Sequence, residues 1–145
     1  MSISQAMCTS FKVALLDAEM DFSANTTQTF KIALYTSSAS IDATTTAYTT
    51  DNEVVGTNYV AGGNTLTIST NPTNGGSGTV AFLDFADTTW ASSSITARGA
   101  LLYKAGGTNP AIAVLDFGAD KTTKTSAFVV QFPAGDAANA IVRVA

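Results

Sequence analysis

From residue 29 onward, apolar and polar positions follow a two-residue period in short runs separated by turn residues. The clearest run is TFKIALYT at 29–36, where Phe30, Ile32 and Leu34 stand against Lys31, Ala33 and Tyr35 as in a half-buried strand. EVVGTNYV (53–60) and TLTIST (65–70) flank Gly62-Gly63-Asn64, turn chemistry that predicts a hairpin. Further strands are predicted at TVAFLDF (79–85), SITARGALLYK (94–104), AIAVLDF (111–117), AFVVQF (127–132) and AIVRV (140–144). SSASIDATTTAY (37–48) reads as a long loop, with a helical turn near Thr46–Glu53, and NPTNGGSG (71–78) as the most flexible loop.

The N-terminal segment has a different period. Met7, Phe11, Leu15 and Ala18 recur every three to four residues and Phe22 continues the row, which places them on one face of a helix at about 4–19. Ser2 or Ser4 is positioned to cap it. The pattern therefore predicts an all-β fold, an antiparallel β-sandwich of about eight short strands. Residues 1–28 form its N-terminal helix or arm and residues 29–145 the sandwich domain.

Two strands carry apolar residues on both faces. In 79–85, Ala81, Leu83 and Phe85 oppose Val80 and Phe82; in 111–117, Ala111, Ala113, Leu115 and Phe117 oppose Ile112 and Val114. A sheet with one wet face shows polar residues at alternate positions. The second face must be covered by the helix, by another sheet or by a neighbouring molecule, and a neighbour fits because apolar patches mark association surfaces.

Composition narrows the chemistry. The apolar fraction of 46% over 145 residues supports one domain with a real core. Only 12% of residues are charged, about half the usual share, so the surface is largely neutral and hydrogen-bonding, with weak protection against self-association. The net charge is −4 and the seven basic residues are scattered, which argues against nucleic-acid binding. The single cysteine, Cys8, excludes an internal disulfide. No charged-then-apolar leader and no apolar run of about 18 residues is present, so no membrane contact is expected and synthesis in a cytoplasm as a soluble protein is.

The chain has no histidine, which removes the commonest general base and metal ligand. Cys/His zinc sites and Ser-His or Cys-His pairs are thereby excluded. No Walker-type or dinucleotide glycine pattern occurs.

One motif invites a chemical reading. FLDFADTT (82–89) and VLDFGADKTT (114–123) are alike: each apolar run ends Leu-Asp-Phe and then breaks at an Asp. Asp84, Asp87, Asp116 and Asp120 could in principle form a carboxylate cluster. Ca²⁺ wants six to eight oxygens, and the spacing is not that of an EF-hand. A glycosidase wants two carboxyls about 5 to 9 Å apart in a sugar-binding cleft, which nothing here indicates. The structural reading fits better. Asp87 and Asp120 complete turns, while Asp84 and Asp116 lie within strands and need partners if buried. Arg98, mid-strand in TARGALLYK, is the candidate, in an Arg98–Asp116 or Arg98–Asp84 ion pair. No catalytic, cofactor-binding or metal-binding residue is assigned. Cys8 reads as a packing residue and Trp90 as core or interface. The sequon Asn25-Thr26-Thr27 reads as chance.

The chain also resembles a known group. TFKIALYTSSASIDATTTAYTTDNEVVGTNYVAGGNTLT, AFLDFADTTWASSSITARGALLYK and AVLDFGADKTTKTSAFVVQFPAGDAANAIVRVA, in that order over about 29–145, are similar to a family of small proteins encoded among the virion genes of tailed bacteriophages. The resemblance implies a virion structural protein, a capsid decoration or cement protein on the shell exterior. It implies the major capsid protein as partner, a homo-oligomer with a trimer favoured, and no cofactor. The alternatives are a tail or fibre accessory protein and a receptor- or glycan-binding virion domain. The loops at 37–48 and 71–78 carry only Tyr48 as an aromatic contact residue, which weighs against the last.

Overall fold

The computed structural model describes residues 2–145. The elements in chain order are β1 (Ala6–Met7), α1 (Thr9–Leu16), β2 (Thr29–Tyr35), β3 (Asn64–Thr65), β4 (Ile68–Thr73), β5 (Ala81–Phe85), β6 (Thr88–Ser93), β7 (Thr96–Ala105), β8 (Ala111–Thr122), β9 (Ser126–Val130) and β10 (Val142–Val144). They form a five-stranded sheet in the order β1-β8-β7-β2-β3, a three-stranded sheet β10-β5-β4 and a ribbon β6-β9. All of these pairings are antiparallel. The fold is all-β and sandwich-like, with one short helix.

The centre of the large sheet is buried on both faces. Register puts Phe30, Ile32 and Leu34 opposite Lys104, Leu102 and Ala100, so these residues share a face. That face is closed by aromatics from the chain itself: Phe22 stacks on Phe30 at 4.5 Å between centroids and meets Phe11 of α1 and Phe85 of β5 edge-on. On the opposite face lie Ala33, Tyr35, Leu101 and Tyr103. Tyr103 stacks on Tyr48 at 4.7 Å and donates its hydroxyl to Gly62 O, so the 48–62 segment lids this side. Ile112, Val114, Leu101 and Leu102 are fully enclosed. The apolar strand faces are thus covered by the helix, by the smaller sheet and by the 48–62 segment; no neighbour is required for them.

Several predicted elements differ from those found. The helix begins at Thr9, not near residue 4, because earlier residues are drawn into pairing. Ile3 bridges Ile41, Ala6 and Met7 pair with Val114 and Ala113, and the Cys8 N–H donates to Ile112 O. Neither serine caps it; Cys8 is the N-cap and makes no side-chain cap bond. The helix ends at Asp17, where Ala18 takes φ 59° and the Glu19 N–H closes on Ala14 O. Ala18, expected on the buried face, is exposed, whereas Phe11 and Ala14 are buried. Ile3, Cys8, Phe11, Met20 and Phe22 join the same core as the strands.

The predicted 53–60/65–70 hairpin does not form. Glu53 and Thr57 make only isolated bridges, to Tyr35 and Ser94, while β3 pairs with β2 and β4 with β5. No helical turn occurs at 46–53. β4 extends into the predicted flexible loop, with Pro72 at the sheet edge. Thr88–Ser93, to which no strand was assigned, is strand β6.

Candidate functional site

Both Leu-Asp-Phe segments stand at irregularities in a sheet, and that is where their aspartates find roles. In β8, Ala97 pairs with Lys121 and Gly99 with Asp116, so one residue, Arg98, faces four, Phe117 to Asp120. Gly118 holds φ 79° within this bulge and donates its N–H to Asp116 Oδ1. In the other segment the extra residues are on the partner: Ile68 pairs with Phe85 and Thr70 with Asp84, leaving Ser69 unmatched.

The bulge changes the ion pair. Arg98 Nε donates to Asp120 Oδ1 at 2.9 Å; it pairs with neither Asp116 nor Asp84. The four-residue excursion brings Asp120 level with Arg98 and leaves Asp116 opposite Gly99. Asp116 is exposed, and its N–H is held by Gln5 Oε1. Asp84 belongs to the three-stranded sheet and Asp116 to the five-stranded one, so the repeat does not assemble one carboxylate pair. Asp87 forms no turn: its Oδ1 accepts the Phe132 N–H at 2.8 Å. Burial pushes the Asp84 carboxyl above the ordinary range. Among the described residues no three of Cys, Asp or Glu converge as metal ligands.

The most connected buried polar group among the described residues was not among the predicted ones. Glu53 is buried, and its carboxylate accepts three hydrogen bonds: Oε1 from the Tyr59 hydroxyl at 2.7 Å and the Gly62 N–H at 2.8 Å, Oε2 from the Tyr48 hydroxyl at 2.7 Å. Tyr59 oxygen in turn accepts the Leu34 N–H at 2.8 Å. That N–H lies on β2 beyond the two-residue partner β3, where the ladder would otherwise leave it bare. Tyr35 donates to Thr49 O at 2.6 Å. All four tyrosines of the chain are therefore tied to the 48–62 segment, and burial raises the ionisation of each above the usual phenol value. The arrangement is a structural clasp. The sequence signal for it was a Glu leading into Val54-Val55, spaced by five and six positions from Tyr48 and Tyr59.

Cys8 is fully enclosed, and its thiol is pushed up to about 11 by burial and then by the Asp42 charge, which makes it a packing group. Trp90 packs between Tyr59 and Phe128 in the core. Thr26 of the sequon spends its hydroxyl oxygen on the Gln28 N–H.

The large apolar side chains exposed at the surface are Val13 and Leu16 on α1, Val55 and Val60 in the 48–62 segment, Val129 on β9 and Val144 on β10. Leu16, at the end of α1, is 89% exposed and Val13, one turn earlier, is 54% exposed. A groove runs between the 20–24 loop and the small sheet, lined by Leu15, Met20, Phe22, Phe82, Val142 and Val144. No helix is long and apolar enough to cross a membrane among the described residues. No family model, no curated protein and no solved structure matches this chain.

Proposed function

We propose that this chain is a structural protein of a tailed-phage virion, a capsid decoration protein that binds the outer shell and braces neighbouring major capsid subunits. The similarity in motif order over 29–145 supports the virion reading. The observation that carries the binding role is the apolar groove lined by Leu15, Met20, Phe22, Phe82, Val142 and Val144, with Leu16 exposed next to Leu15 in the chain. Large apolar side chains exposed together mark a contact surface. They lie on a low-charge exterior, so little electrostatic work opposes docking. The strand faces are sealed from within, so the capsid contact is assigned to this groove rather than to a sheet face. Assembly as a trimer would let weak individual contacts add through effective concentration.

The test is co-sedimentation of the purified protein with empty shells of the phage's major capsid protein. Saturable binding is expected, with Leu16→Asp and Val144→Asp weakening it while leaving the fold intact. Failure of the wild-type protein to sediment with shells overturns the proposal. Mass measurement in solution reports the trimer separately.

A further inference from the structure

Asp84 holds a buried polar atom without a partner. Its Oδ1 is enclosed and unpartnered, Oδ2 takes a long bond, 3.4 Å, from the Ser69 hydroxyl, and the Phe85 N–H stands beside the carboxyl. The chain between β9 and β10 passes over this side chain. Phe132 is fastened to Asp87 by its N–H. Three residues later Gly135 crosses directly over Asp84: a Cβ at Gly135 would stand 2.8 Å from Asp84 Cβ and 3.1 Å from Oδ2. Asp136 then closes a turn by accepting the Ala138 and Asn139 N–H groups, and Arg143 reaches back to Ala138 O at 2.6 Å. β10 rejoins β5 through Val142 opposite Leu83. Residues 132–144 are thus anchored at both ends, with the middle resting on one carboxyl.

We propose that residues 132–144 form a pH-sensitive strap that closes on neutral Asp84 and loosens when this carboxyl is ionised. A carboxylate with one oxygen enclosed and too few donors is costly, whereas its neutral form is less so. Burial is the largest influence on Asp84 and raises its proton affinity; the Phe85 N–H and Ser69 act the other way, and the Asp87 charge adds to the rise. β4 brings no titratable residue to it. The strap brings Asp136 and Arg143, both engaged with the strap's own backbone, and no described Lys or Arg forms an ion pair with Asp84. The closed state therefore binds the Asp84 proton more tightly than the open state. Closure weakens as pH climbs from the ordinary carboxylate range through the raised value. Asp136 acts oppositely: hydrogen bonds from Asn139 and Ala138 lower its value, so its contribution is lost as pH falls.

Hydrogen exchange on the full chain tests this, reading β10 amides against those of β7 and β8 between about pH 4 and about pH 7, after correction for intrinsic exchange. The expected result is a several-fold fall in relative β10 protection as pH rises, and an Asp84→Asn variant that stays protected across the range. A wild-type ratio that does not change, or an Asp84→Asn variant with the wild-type slope, overturns the proposal. Gly135→Ala, which wedges a methyl group against Asp84, is expected to open the strap at both pH values; an unaltered strap in that variant equally overturns it.

Discussion

Arg98 and Asp120 are joined across the mouth of a β-bulge, Nε to Oδ1 at 2.9 Å, and the bond ties β7 to the last of the four bulge residues in β8. Both side chains remain well exposed, at 37% and 48%. Exposed pairs contribute little, so a double-mutant cycle of Arg98→Ala and Asp120→Ala should give a coupling of about 0.2–1 kcal/mol in urea unfolding. The matching cycle with Asp116→Ala should give none. Coupling to Asp116 instead would mean that the bulge register is wrong.

Glu53 predicts a much larger effect. Glu53→Ala strands the Tyr48 and Tyr59 hydroxyls and the Gly62 N–H together, and buried groups left without partners cost roughly 1–3 kcal/mol each before relaxation. A loss of about 3 kcal/mol or more is expected from urea unfolding. Tyr59→Phe removes the acceptor for Leu34 N–H as well as the Glu53 bond and should cost about 1–3 kcal/mol. A Glu53→Ala protein as stable as wild type would show that the clasp does not hold the 48–62 segment.

The tyrosines provide a spectroscopic counterpart. Burial raises the ionisation of Tyr35, Tyr48, Tyr59 and Tyr103, with the nearby Glu53 charge acting in the same direction. Their folded values lie above the unfolded value near about 10, so the stability they contribute is intact below that pH and falls above it. Ultraviolet titration should show little phenolate near pH of about 10, then a cooperative rise that coincides with loss of secondary structure. A gradual rise in the folded protein would contradict the burial of these hydroxyls.

How legible this fold was from sequence varied with the range over which each signal acts. β2, β5, β7 and β8 were readable because alternating apolar side chains register burial locally. The early helix start was wrong because Ile3, Ala6 and Met7 serve distant partners, Ile41 and β8, and tertiary pairing overrides the local helical period. β6 was hidden because TTWASS is polar except for Trp90 and the small Ala91, and its ribbon partner β9 supplies the pairing. The Arg98 partner was misread for a related reason: hairpin counting assumes one residue against one, and the bulge at 117–120 breaks that count. Glu53 escaped notice because a carboxylate's value here depends on Tyr48, Tyr59 and Gly62 folding round it, which no residue pattern states directly.

Gly63 separates the hairpin that local turn chemistry predicted from the β2–β3 pairing that forms. It occupies φ +76°, and a Cβ there would lie 1.7 Å from Ile32 O, closer than any atoms can stand. The contact is with backbone inside the five-stranded sheet, so it cannot be relieved by a side-chain rotation. Gly63→Ala should therefore displace β3, whose two residues pair with Lys31 and Ile32, and cost well above the roughly 1 kcal/mol of glycine's conformational advantage. Gly106→Ala is the control: its φ of +107° is at least as unfavourable to alanine, but nothing lies within 4 Å. The difference between the two variants in urea unfolding isolates the clash from the backbone strain. It should appear with faster amide exchange of Leu66, whose N–H donates to Phe30 O just beyond β3. Equal losses in the two variants would mean that Gly63 does not approach β2, and that the segment before β3 packs elsewhere.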